Sequence, residues 1–131
     1  MEKKTCLSLL VENNFGVLSR ISGLFARRGY NIDSLTVGTT ENAELSRITI
    51  TVTGDDQILT QIKKQLNKLI DVITVIELKP DESIIRELVF IKVKADDTTR
   101  SQIVEIANMF RANIVDVSRE SLVIEITGTR Y

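Results

Sequence analysis

The chain has 131 residues, 43% of them hydrophobic, and its 17 basic and 18 acidic residues leave a net charge of −1. This length fits one ordinary domain or two small ones. The balanced charge excludes a basic surface of the kind that attracts nucleic acids. No apolar run reaches the roughly 20 residues that span a bilayer, and the first residues lack a signal-peptide core. We therefore expect a cytoplasmic protein without membrane or nucleic-acid partners.

Side chains suited to catalysis or metal binding are scarce. Histidine, the commonest general base and transition-metal ligand, is absent. Cys6 is the single cysteine, so neither a disulfide nor a thiolate metal site can form within one chain. Its apolar neighbours favour a small buried side chain over a reactive thiol. The acid pairs Asp55-Asp56 and Asp96-Asp97 precede predicted helices, which favours helix capping over metal binding.

The N-terminal region begins with a strand, a helix and a second strand. Residues of about 5–11 form an apolar strand. Over about 16–28, apolar residues recur at the i, i+3, i+4, i+7 spacing of a buried helix face. Gly29 fits the left-handed position that ends a helix, and strand character resumes over 30–40.

A second strand–helix–strand series completes this region. Ile48, Ile50 and Val52 alternate with threonines, as in an antiparallel strand with one wet face. Helical periodicity follows over 58–70, and a strand follows over 72–78. The order βαββαβ predicts a ferredoxin-like α+β fold, in which both helices cover one face of a four-stranded sheet.

Pro80 marks a predicted boundary between a domain over 1–79 and a second domain over 80–131. The second domain reads as βαββ, an incomplete ferredoxin-like unit with strands at 88–95, 114–117 and 122–126. The stripe of its helix, over about 100–111, is predicted to contain Ile103, Ile106, Ala107 and Phe110. One helix is too little to cover such a sheet, so either the sequence is a fragment or another chain covers the gap. We favour the fragment.

The loop after the first strand is the candidate binding site. Asn13 and Asn14 carry amide donors and acceptors suited to an amino acid, and Gly16 permits close approach of a ligand. The following helix directs free N–H groups to the same place. Apolar surface for a branched side chain would come from Val17, Leu18 and Ile32. A simpler interpretation fits the same spacing: Asn14 caps the helix and Gly16 only permits the turn.

Two segments carry a family resemblance. Glu12-Asn13-x-x-Gly16-x-Leu18-Ser19-Arg20 and Arg28-Gly29-Tyr30-Asn31-Ile32-x-Ser34-Leu35 resemble the regulatory (small) subunits of acetolactate synthase, also called acetohydroxyacid synthase. Further matches extend over essentially the whole chain, to Thr127-Gly128-Thr129. Family members normally continue for another helix and strand beyond this point, so we expect the second domain to be truncated.

The resemblance implies a function in the biosynthesis of valine, leucine and isoleucine. Residues 1–79 would form an ACT domain that pairs with a second copy as a homodimer and binds valine or another branched-chain amino acid at the interface. The effector residues would be Asn13, Gly16, Val17 and Leu18 from one protomer, with Asn31 and Ile32 from the other. The chain itself would be non-catalytic and hold no cofactor. Its partner would be the catalytic large subunit, which uses thiamine diphosphate, Mg²⁺ and FAD, and which it would activate and place under feedback inhibition.

Two alternatives belong to other classes. A free-standing ACT-type sensor would regulate a different enzyme. A small ferredoxin-like enzyme of the acylphosphatase kind would need an arginine in the first loop to hold phosphate, and residues 12–16 contain none.

Overall fold

The computed structural model of the protein describes residues 2–129, whose contacts divide into two units between Ser83 and Ile84. The elements of the N-terminal unit are β1 (Lys3–Glu12), α1 (Val17–Arg28), β2 (Ile32–Thr39), β3 (Leu45–Gly54), α2 (Asp56–Asn67) and β4 (Val72–Leu78). Those of the C-terminal unit are β5 (Glu87–Lys94), α3 (Arg100–Met109), β6 (Asn113–Val117) and β7 (Ser121–Gly128). The predicted α+β class, with βαββαβ followed by βαββ, is confirmed. None of the helices among residues 2–129 is both long and apolar enough to cross a membrane.

The N-terminal unit contains a four-stranded antiparallel sheet in the order β2-β3-β1-β4, so β2 and β4 are its edges. Because side chains alternate along a strand, the register places one apolar set from the two central strands on a single face. Both helices pack against that face and bury it. The buried core comprises Leu7, Leu9 and Val11 of β1, Ile48, Ile50 and Val52 of β3, Val17, Ile21, Leu24 and Phe25 of α1, Leu59, Ile62 and Leu66 of α2, and Val72 of β4.

Two glycines delimit α1. Gly16 precedes the helix with φ +85° and Gly29 ends it with φ +73°, both in the left-handed region. The prediction that Gly29 ends the helix is confirmed. The interpretation that Asn14 caps α1 is wrong, because the helix has no side-chain cap and the Asn14 amide donates instead to the carboxylates of Glu12 and Asp71.

The C-terminal unit contains a three-stranded antiparallel sheet in the order β5-β7-β6. Ala107 of α3 is buried, and Ile103 is partly buried. The predicted helix stripe is wrong at Ile106 and Phe110, which are 55% and 69% exposed. Ile106 precedes the buried Ala107 and lies beside its face of the helix, whereas Phe110 follows Met109, the last residue of α3. The described residues leave both side chains largely uncovered.

Candidate functional site

The loop between β1 and α1 is fixed on both sides. On one side, the Glu12 N–H donates to the Asp71 carbonyl at 2.9 Å. On the other, the Asn13 N–H donates to the Glu44 carbonyl at 2.7 Å, and Asn13 Nδ2 donates to the Ala43 carbonyl at 3.1 Å. The loop is therefore held between the start of β4 and the turn that joins β2 to β3. One amide donor of Asn13 is already used in this contact.

The first turn of α1 presents free backbone donors. The N–H groups of Leu18 and Ser19 donate to no partner within residues 2–129, whereas the Arg20 N–H already donates to the Gly16 carbonyl at 3.0 Å. No acidic side chain occupies this first turn. Unpaired N–H groups and the positive end of the helix dipole make this position favourable for an anion.

A cluster of charged and amide side chains lies beside this turn. The Asp71 side chain is only 7% exposed, and its Oδ2 receives Arg20 Nε at 2.7 Å as well as Arg20 Nη2. Its Oδ1 accepts from Asn14 Nδ2 at 3.3 Å, and the same amide donates to Glu12 Oε2 at 2.9 Å. The buried carboxylate is therefore paired, which is what a desolvated charge requires. In this way a residue preceding β4 fixes both the loop and the first turns of α1.

Sequence reasoning missed Arg20 and Asp71 as residues of this site. Arg20 could have been found, because a residue four positions after Gly16 lies one helical turn above it. Asp71 is far along the chain, and only the sheet order, which pairs β4 with β1, brings it to this loop.

The residues predicted to supply the apolar surface have different surroundings. Val17 is 4% exposed and belongs to the core, whereas Leu18 is 44% exposed and accessible. Ile32 is partly buried and packs against the core. Asn31 is exposed and immediately precedes β2. Leu18 is therefore the predicted apolar residue with most surface available to a ligand.

One chain does not bring all the predicted residues together. Ile32 pairs with Val52 and Glu12 pairs with Leu45, so the two positions are seven residues apart along β3, roughly 23 Å. The loop with Asn13 and Gly16 thus lies at one end of the sheet, and Asn31 lies at the other. A site that uses both sets needs two chains.

Comparisons with known proteins assign both units of the chain to the same family. Residues 7–74 match the model of the AHAS small subunit-like ACT domain, and residues 86–131 match that of the small subunit of acetolactate synthase. The acetolactate synthase small subunit of Mycolicibacterium smegmatis is 60% identical over 123 residues, covering 94% of this chain and 72% of the relative. The chain belongs to the acetolactate synthase small-subunit family.

A second relative and a solved structure at 44% identity agree with this assignment. A probable acetolactate synthase small subunit of Archaeoglobus fulgidus is 57% identical, over 95% of this chain and 78% of the relative. The crystal structure of the small subunit from Thermotoga maritima superposes with a TM-score of 0.89 at 44% identity, covering 98% of this chain and 80% of that one. The ACT domain of a GTP pyrophosphokinase from Chlorobium tepidum has a TM-score of 0.51 at 18% identity, over 60% of this chain and 100% of that domain, and shows the fold alone.

Other positions considered for chemistry have structural roles in this family member. Asp55 caps α2, since its Oδ1 accepts from the Ile58 N–H at 2.8 Å. Asp96 Oδ1 accepts from the Thr98 hydroxyl at 2.6 Å and from the N–H groups of Thr99 and Thr98, both at 2.9 Å, and these bonds lower the pKa of this carboxyl to about 2. Within residues 2–129, no cluster of three acidic or cysteine side chains is placed to hold a metal ion.

Cys6 is partly buried, and burial raises the pKa of its thiol above the usual value. A raised pKa lowers the thiolate fraction at neutral pH, which favours a structural over a reactive role.

Proposed function

We propose that this chain is an amino-acid sensor that regulates the catalytic large subunit of acetolactate synthase. The observation that carries the proposal is the pair of N–H groups of Leu18 and Ser19, which donate to no partner within residues 2–129 and lie next to a left-handed Gly16 in a member of this family. The ligand is a branched-chain amino acid, with valine as the first candidate. Its carboxylate would accept from the Leu18 and Ser19 N–H groups, and its side chain would contact Leu18.

The arrangement of the sheet supports a site shared between two copies. β2 is an edge strand, so its outer backbone groups are available to a second sheet. If two copies paired antiparallel through β2, Asn31 of the partner subunit would lie near Thr39, at the C-terminal end of the first copy's β2. That end adjoins the turn to which Asn13 is bonded. Such a homodimer would bring Asn13 and Gly16 of one chain close to the second asparagine, and the symmetry would create two equivalent sites.

Regulation would follow from differential binding. The effector shifts the holoenzyme toward the dimer arrangement that binds it better, and only by the ratio of its two affinities. The chain has no histidine, and its described residues include no group of three acidic or cysteine side chains placed to hold a metal ion. Because the chain belongs to the small-subunit family, we assign the reaction, with thiamine diphosphate, Mg²⁺ and FAD, to the large subunit.

A reconstituted holoenzyme tests the proposal. Acetolactate formation is measured with wild-type chain or with Gly16→Asp, over a range of valine concentrations. The new carboxylate would occupy the position of the effector carboxylate, so we expect Gly16→Asp to activate the large subunit but to remove inhibition by valine. Inhibition as strong as with wild type would refute the site, and failure of the wild-type chain to bind or affect any large subunit would refute the function.

A further inference from the structure

We propose that Arg20 recognises the carboxylate of the effector and that Asp71 positions it. The inference rests on the proposed function, since it assigns a new residue to the same site. Arg20 lies on α1 one turn beyond Gly16, and about half of its side-chain surface is exposed, at 49%. It is therefore accessible to a ligand at the loop.

Asp71 fixes the direction of the guanidinium. Its carboxylate binds Nε and Nη2, so two of the three nitrogens of the planar group are held by a nearly buried partner. A planar group held at two nitrogens has its third nitrogen fixed as well. Asn14 holds the other oxygen of Asp71, and this keeps the carboxylate from rotating away.

The third nitrogen of Arg20 points to the candidate site. Nη1 lies 3.4 Å from the position that a Cβ on Gly16 would occupy, and among residues 2–129 no other heavy atom outside Gly16 and its two chain neighbours lies within 4 Å of that position. Nη1 makes no hydrogen bond within residues 2–129. An anion seated beside Gly16 would thus meet the backbone donors of the helix and a cationic donor together. Hydrogen bonds to a charged donor are roughly twice as strong as neutral ones.

A purely structural ion pair would predict different behaviour. It would stabilise the loop and affect all ligands equally, since it would not contact them. A carboxylate-recognising arginine would instead discriminate valine from valinamide, in which a neutral amide replaces the carboxylate and the ammonium and side chain are kept. The ratio of the two dissociation constants is therefore the decisive readout.

Calorimetric titration of the full chain with valine and with valinamide measures this ratio. The main variant is Arg20→Gln/Asp71→Asn, because Arg20→Gln alone would leave a buried carboxylate unpaired and destabilise the unit. Arg20→Lys is the second variant, since lysine can pair with Asp71 but has one nitrogen and no fork. Arg28→Gln, at the other end of α1, is the matched control for loss of one positive charge.

We expect wild type and Arg28→Gln to bind valine at least tenfold more tightly than valinamide. The double variant and Arg20→Lys should keep a cooperative melting transition, and their valine-to-valinamide ratio should fall at least fivefold. An unchanged ratio in either folded variant would overturn the assignment of Arg20 while leaving the proposed function intact. Absence of binding of any branched-chain amino acid to wild type would overturn both.

Discussion

The substitution Gly16→Ala separates the role of this glycine in the fold from its role at the site. The residue has φ +85°, and a non-glycine residue in the left-handed region costs about 1–2 kcal/mol. Alanine also lowers the conformational entropy of the unfolded chain, and this offsets about 0.4–1 kcal/mol of the loss in folding stability. The nearest atom to the new methyl group is Arg20 Nη1 at 3.4 Å, so no severe clash is added. We expect a net destabilisation of about 1 kcal/mol, or a melting temperature lower by roughly 4–8 °C.

The same methyl group occupies the space proposed for the effector carboxylate. Forcing an extra methylene-sized group into a packed contact typically costs about 1–3 kcal/mol. Since each 1.4 kcal/mol is a factor of ten, valine should bind roughly tenfold to a hundredfold more weakly. Calorimetric titration measures the affinity, and thermal melting followed by circular dichroism measures the stability.

A second glycine provides the control. Gly23 lies inside α1, its φ is not positive and nothing lies within 4 Å of its added Cβ. Gly23→Ala should therefore stabilise the helix by about 0.5–1 kcal/mol. The double variant Gly16→Ala/Gly23→Ala should regain nearly wild-type stability without regaining affinity. Recovery of valine binding along with stability would refute the reasoning, because the effect of Gly16→Ala would then be on the fold alone.

Three further predictions concern the rest of the chain. Ile50→Ala, in the centre of the core at 0% exposure, should lower the free energy of unfolding in urea by about 2–5 kcal/mol, whereas Ile76→Ala, at 50% exposure, should change it far less. Equal losses would contradict the assigned core. The folded pKa of Asp96 is about 2, below its ordinary 3.8, so its contribution to stability is present above pH 4 and is lost as the pH falls toward 2. The stability difference between wild type and Asp96→Asn should therefore shrink as the pH falls from 4 toward 2. A difference that does not change with pH would contradict the lowered pKa of Asp96. Because burial raises the pKa of Cys6, its alkylation by iodoacetamide at pH 7.5 should be slower than that of a free thiol and should accelerate on denaturation. Equal alkylation rates in the folded and the denatured chain would contradict the raised pKa.

Much of the fold follows from local patterns in the sequence. The alternation of Ile48, Ile50 and Val52 defines a strand with one buried face, and the left-handed Gly29 ends α1 as expected. Such features depend on the period of the side chains and on the freedom of glycine, which are local properties. The bounds of β4 were predictable for the same reason.

The features that sequence reasoning missed depend on tertiary contacts. The Asn14 side chain has the chemistry of a helix cap, yet the carboxylate of Asp71, 57 positions away, takes its amide instead. The helical period predicted Ile106 as buried, but a period gives only the direction of a face and not whether another element covers it. The pairing of Arg20 with Asp71 likewise required the sheet order, which no short segment contains.

The central claim is that two chains share each effector site, and an asymmetric dimer tests it most directly. Two variants, Asn13→Ala and Asn31→Ala, are purified separately and then as a heterodimer selected through two different affinity tags. Each homodimer should bind valine weakly, because both of its sites are damaged. The heterodimer has both substitutions in one site and none in the other, so it should bind one valine per dimer with wild-type affinity. A heterodimer that binds no better than either homodimer would contradict a site shared between chains.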